Sequence, residues 1–197
     1  MYRVNFSSTS LPALLDFLSS ALVEMGHKSL VAYVAWYWGS HLQKDFTFCS
    51  PNLLCWLPPP IGVLKINFDA SITANKAAAG YVIRNTNAVL MRVGGKLLPH
   101  ISVPFAELLA AWLGVRTAIY ELHATYIWIE GDSSTAVSCI KNPELQRFGH
   151  MPFLQDLIQW QGAMHFCKIT HIFREANQVA DYMARLALQG DFVKNDA

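Results

Sequence analysis

Four acids stand out by their positions: Asp69, Glu107, Asp132 and Asp181. Asp69 lies in "LKINFDAS" (64–71), where Leu64, Ile66, Phe68 and Ala70 alternate with Lys65, Asn67, Asp69 and Ser71. That alternation is the period of a half-buried strand. Strands disfavour aspartate, and a carboxylate taken out of water needs partners or it neutralises. Four carboxylates gathered in one cleft would repel one another unless divalent cations offset their charge. An all-oxygen ligand set selects hard ions such as Mg²⁺ or Mn²⁺. A pair of such ions clamps the attacking and leaving oxygens of a phosphoryl displacement.

Taken singly, three of the acids have plainer explanations. Glu107 reads as a first-turn acid favoured by a helix dipole. Asp132 reads as a helix N-cap, and Asp181 as part of a solvated helix face. Convergence depends on the elements that carry them. Three strands are predicted at "GVLKINFDAS", "AGYVIRN" and "VLMRVGGKLL", with "TANKAAAG" joining the first two and "NTN" (85–87) the second and third. A long helix follows over "FAELLAAWLGVRTAIYEL", with Pro104 suited to its first turn. Next come a strand at "TYIWIE", a helix at "STAVSCIKN", an amphipathic stretch at "PFLQDLIQW" and a strand at "HFCKITHIF". A last helix runs from Ala176 to Leu188 and stops at Gly190. The order β-β-β-α-β-α-(α)-β-α predicts an α/β fold with a mixed five-stranded sheet and packed helices.

The 197 residues allow one ordinary domain with an extension. With 53% hydrophobic residues and a net charge of +1, extensive disorder is excluded and bulk charge points to no partner. Cys49, Cys55, Cys139 and Cys167 form no CxxC pair, so reduced thiols in an intracellular protein, nuclear or cytoplasmic, are expected. "MYRVNFSSTSLPALL" lacks the form of a secretory leader, and "SLVAYVAWYWGSHL" is too short to span a bilayer. No membrane role is expected. The triple proline in "CWLPPPIG" (55–62) reads as a stiff spacer. It divides the chain into an extension (1–58), a domain (59–190) and a tail (191–197). The extension holds a helix over Leu11–Met25 and an aromatic cluster at Trp36, Tyr37 and Trp38, whose rings either stack on bases or pack on the domain.

The segments "WLPPPIGVLKINFDAS", "AAAGYVIRN", "AELLAAWLGVRTA", "IWIEGDSSTAVSCI" and "FREANQVADYMARLA" together resemble the ribonuclease H family. The likeness is greatest to the plant branch found at the ends of non-LTR retrotransposon polyproteins and in their single-domain relatives. It covers about two-thirds of the chain, from 59 to 190. The resemblance implies helices on both faces of the sheet and a catalytic, metal-binding set of Asp69, Glu107, Asp132 and Asp181. It further implies two Mg²⁺ or Mn²⁺ ions, no small-molecule cofactor, and hydrolysis of the RNA strand of an RNA–DNA hybrid by a monomer.

The departures are specific. Ala70 stands where the family usually has glycine after the first aspartate, which adds only a methyl group and bars positive φ. The loop before Asp181 is the short "FREANQVAD", so His171 on the preceding strand is not equated with the family's mobile histidine. Arg174 and Asn177 are expected near the scissile phosphate. Asn67 and Ser71, which flank Asp69, are expected to contact substrate 2′-hydroxyls. No basic protruding helix is visible. The competing expectation is a retroelement-derived domain that binds nucleic acid without cutting. The intact acids favour the enzyme.

Overall fold

The computed structural model describes residues 56–142 and 152–195. The helix expected over Leu11–Met25 and the aromatic cluster at Trp36–Trp38 lie outside the described residues. Three strands open the fold: β1 (Leu64–Ile72), β2 (Lys76–Arg84) and β3 (Leu90–Pro99). Then come α1 (Val103–Tyr120), β4 (Tyr126–Gly131), α2 (Ser134–Lys141), α3 (Pro152–Ala163) and β5 (Phe166–His171). A 3₁₀ turn at Arg174–Ala176 leads into α4 (Gln178–Ala187), and β6 (Phe192–Asn195) closes the chain's described part. The sheet order is β5-β4-β1-β2-β3-β6. β1, β2 and β3 form an antiparallel meander, while β4 and β5 add in parallel on the other side of β1.

Alternation along the strands divides the core into two layers. Ile66, Phe68, Tyr81 and Ile83 pack with α1, α2 and α3. Val82 and Val93 pack with Ala180 and Met183 of α4 on the opposite face. Helices therefore cover both faces, as the resemblance implies. Among the described residues, no helix is long and apolar enough to cross a membrane.

Two local expectations are corrected by close packing. Ala77, Ala78 and Ala79 of "TANKAAAG", expected in a connection, form the buried start of β2. Small residues are needed there: a Cβ at Gly80 would come within 2.2 Å of the Ala184 backbone nitrogen in α4. Among the described residues the sheet also has six strands, not five. β6 falls in the segment expected to be a tail and pairs with β3 at Gly94 and Gly95. A Cβ at Gly95 would sit 2.8 Å from the Phe192 ring, so glycine admits the extra strand. Four residues are too few for a period-two pattern to announce a strand.

The proline segment is tied to the domain by hydrogen bonds. Trp56 Nε1 donates to Asn67 Oδ1 at 2.7 Å, and Lys65 Nζ donates to the Leu57 carbonyl at 2.7 Å. Thr86 Oγ1 donates to the Pro60 carbonyl at 2.8 Å. Lys65 is buried at 1% exposure, paired with Glu130 at 3.1 Å and lying 3.6 Å from the centroid of the Trp128 ring. Burial lowers its pKa, and Glu130 opposes that shift. The parallel register explains the grouping, since Lys65 neighbours Trp128 and Asn67 neighbours Glu130. Trp56→Ala should cost about 2 kcal/mol, because it strips packing from Lys65 and leaves Asn67 without its donor. A thermal melt should register this as a drop of several degrees; an unchanged melt would mean that the segment is not part of the folded body.

Candidate functional site

β4 ends where Gly131 pairs with Phe68, so Asp69 lies one residue beyond the last β1–β4 pairing. At that point the strands separate, and the next residue of each, Asp69 and Asp132, is an acid. α1 brings in Glu107. One carboxylate oxygen from each of Asp69, Glu107 and Asp132 lies within 4.8 Å of the others. Asp69 and Glu107 are each only 5% exposed. Alternation alone would set Asp69 on the Lys65 side of the sheet, away from α1. The carboxylates meet because the site lies at the sheet's opening, past the end of β4.

The plainer explanations for two of these acids fall away. Ser133, not Asp132, caps α2: its Oγ accepts from the Ala136 amide at 3.3 Å. The first turn of α1 contains no acid, so Glu107 lies beyond it. Its buried Oε2 has no hydrogen-bond partner.

The electrostatics follow from this crowding. Burial, then the Asp132 charge, raises the Asp69 pKa to about 7, despite an Ala70 amide donating to its Oδ1 at 2.8 Å. Burial, then the charges of Asp69 and Asp132, raises Glu107 to about 9. Both folded-state values exceed the ordinary 3.8 and 4.5. The stability these groups contribute is thus complete below about pH 4 and is lost as pH rises through 7 and 9. Metal-free protein should melt lower at pH 9 than at pH 5. Glu107→Gln should flatten that slope and raise the melting temperature at pH 8, by about 2–4 °C for each kcal/mol relieved. A melt insensitive to both changes would contradict the charge crowding.

Asp132 is held from two sides. Asn177 Nδ2 donates to its Oδ1 at 3.1 Å and to the Phe68 carbonyl at 2.9 Å. His171 Nε2 donates to its backbone carbonyl at 3.0 Å. Asn177 is 1% exposed and braces the cluster. Asn67 is 2% exposed, its Nδ2 donates to Glu130 and its Oδ1 accepts from Trp56. Ser71 is half-buried near the end of β1, and the Arg174 side chain is 72% exposed.

Asp181 is not in the converged trio, though its charge is felt at Asp69. Arg185, one helical turn on, donates from Nε to Oδ1 at 3.2 Å and pairs through Nη2 with Oδ2 at 2.8 Å. Arg174 Nη2 lies 3.7 Å from Oδ1. The sequence reading missed Arg185, although the i,i+4 spacing from Asp181 was there to be read.

Oxygen-only, mutually repelling, buried at Asp69 and Glu107 and with one oxygen unsatisfied, the trio fits a hard divalent cation. The family model for reverse transcriptase-like proteins matches residues 67–187. An Arabidopsis thaliana protein named "Putative ribonuclease H protein" is 29% identical over 146 residues, 69% of this chain. The chain spans 22% of that relative's length. Among solved structures, ribonuclease H1 of Halobacterium salinarum aligns with a TM-score of 0.56 at 22% identity, covering 65% of this chain and 98% of its own. The amino-terminal ribonuclease H domain of a Mycobacterium tuberculosis protein aligns with a TM-score of 0.59 at 17% identity, covering 64% and 94%. LC11 ribonuclease H1, crystallised with an RNA/DNA hybrid, aligns with a TM-score of 0.53 at 15% identity, covering 64% and 96%. The family match takes in more than half of the chain and runs through every element that carries one of the four acids; the chain belongs to the reverse transcriptase-like family and has the ribonuclease H fold.

Proposed function

We propose that the chain is a divalent-metal-dependent endoribonuclease that hydrolyses the RNA strand of RNA–DNA hybrids. The observation that carries this reading is the convergence of buried Asp69 and Glu107 with half-buried Asp132, together with the unpartnered Glu107 oxygen. Asp69, Glu107 and Asp132 would hold Mg²⁺ or Mn²⁺, with Asp181 as the fourth ligand for a second ion. When bound, the ions supply an activated water and offset the charge that builds on the phosphate.

The protein's own contribution is positioning. Asn177 and His171 fix Asp132, so its carboxylate need not reorganise when a cation enters. Burial keeps water from the rear of the trio and strengthens its electrostatics. Arg174, exposed beside Asp181, is available to a phosphate of the scissile strand. Ser71 remains a candidate for a ribose hydroxyl. The solved hybrid complex of a protein with this fold supports the substrate class.

The competing reading, a domain that binds without cutting, draws on Asp181 being occupied by arginines. One incubation separates the two. Labelled RNA is supplied as a hybrid with DNA, as a single strand and as an RNA duplex, with Mg²⁺ present. Cutting confined to the hybrid supports the enzyme, whereas binding with no cutting of any form supports the other reading.

A further inference from the structure

The fourth acid is differently situated from the other three. Both Asp181 oxygens are engaged by guanidinium groups, Oδ1 by Arg185 and Arg174 and Oδ2 by Arg185. The carboxylate is only 19% exposed, while the arginines are 59% and 72% exposed and free to swing outward. One carboxylate with two guanidiniums carries a net positive charge. In the trio, by contrast, Glu107 Oε2 is buried and unpartnered. The trio is therefore poised for a cation, whereas Asp181 already has its counter-charge.

We infer that Arg185, assisted by Arg174, competes with a divalent cation for Asp181 and so governs whether the fourth carboxylate joins the metal set. This rests on the metal-binding reading of the trio. A first cation settles on Asp69, Glu107 and Asp132 without disturbing the arginines. A second cation must draw Asp181 out of a bidentate pair and then sit near two positive charges. An incoming phosphate diester would relieve both costs, since guanidinium groups pair with phosphate as readily as with carboxylate. The arginines are thus positioning residues that tie completion of the metal site to the arrival of a polyanion.

The test is a calorimetric titration of the full chain with Mn²⁺ alone, without nucleic acid. Wild type should show one stronger site and a weaker second one. Arg185→Ala should tighten the second by roughly two- to fivefold, the range expected of an exposed ion pair, and leave the first unchanged. Arg185→Lys keeps the charge and should fall between the two. Adding Asp181→Asn to Arg185→Ala should erase the gain; circular dichroism confirms that each variant is folded. If Mn²⁺ binds the trio but Arg185→Ala leaves the second site as it was, or the gain survives Asp181→Asn, this inference is overturned while the metal reading stands. If wild type binds no Mn²⁺, both are overturned.

Discussion

Asp69→Asn should reduce hybrid cleavage by at least about 10³-fold, the scale of losing a principal electrostatic stabiliser of the transition state. The substitution keeps the side chain's size and a carbonyl that can still accept the Ala70 amide. It removes the charge that burial and Asp132 already disfavour. The variant should therefore fold, and without metal it should melt no lower than wild type. Hybrid binding should persist and even strengthen slightly, because one negative charge facing phosphate is gone. Quench-flow or gel kinetics with a parallel binding titration would check all three outcomes. Wild-type turnover by this variant would remove Asp69 from the chemistry.

The largest effect on folding is expected at a residue with no part in the chemistry. Gly80→Ala would bring a Cβ to 2.2 Å from the Ala184 nitrogen and 2.7 Å from the Met183 carbonyl carbon. Both contacts are backbone, so no side chain can rotate away; α4 would have to lift from the sheet. A loss of about 3 kcal/mol or more follows from overpacking of this kind. α4 carries Asp181, and the residue just before it is Asn177, the brace on Asp132. The site should therefore loosen with the fold. Denaturant melts should show the lower midpoint, and an unchanged midpoint would mean that α4 is not packed as described.

Much of this was legible in the residues. Two-residue alternation marked β1, and the run "FAELLAAWLGVRTAIYEL" marked α1. The position of Asp69 in a strand singled out one acid of the trio. What the sequence hid were contacts between distant segments. Asn67 looked like a polar residue beside the site, but register with Glu130 and the return of Trp56 bury it. Asn177 was expected near the scissile phosphate, and its amide also reaches Phe68, 109 residues away. β6 was too short to show a period, and it forms because Gly95 leaves room for Phe192. The arginine pairs on Asp181 were half visible: Arg185 by spacing along one helix, Arg174 only once the 3₁₀ turn set it against α4.

The central claim is that buried carboxylates at the opening between β1 and β4 are built to work with a divalent cation. The most direct measurement is the initial rate of RNA-strand cleavage in a labelled hybrid, followed as Mg²⁺ is raised from an EDTA-chelated start. The rate should be at background in EDTA, rise with free Mg²⁺ and saturate. Cleavage that persists undiminished in EDTA, or a chain that binds the hybrid and never cuts at any Mg²⁺ concentration, would contradict the claim.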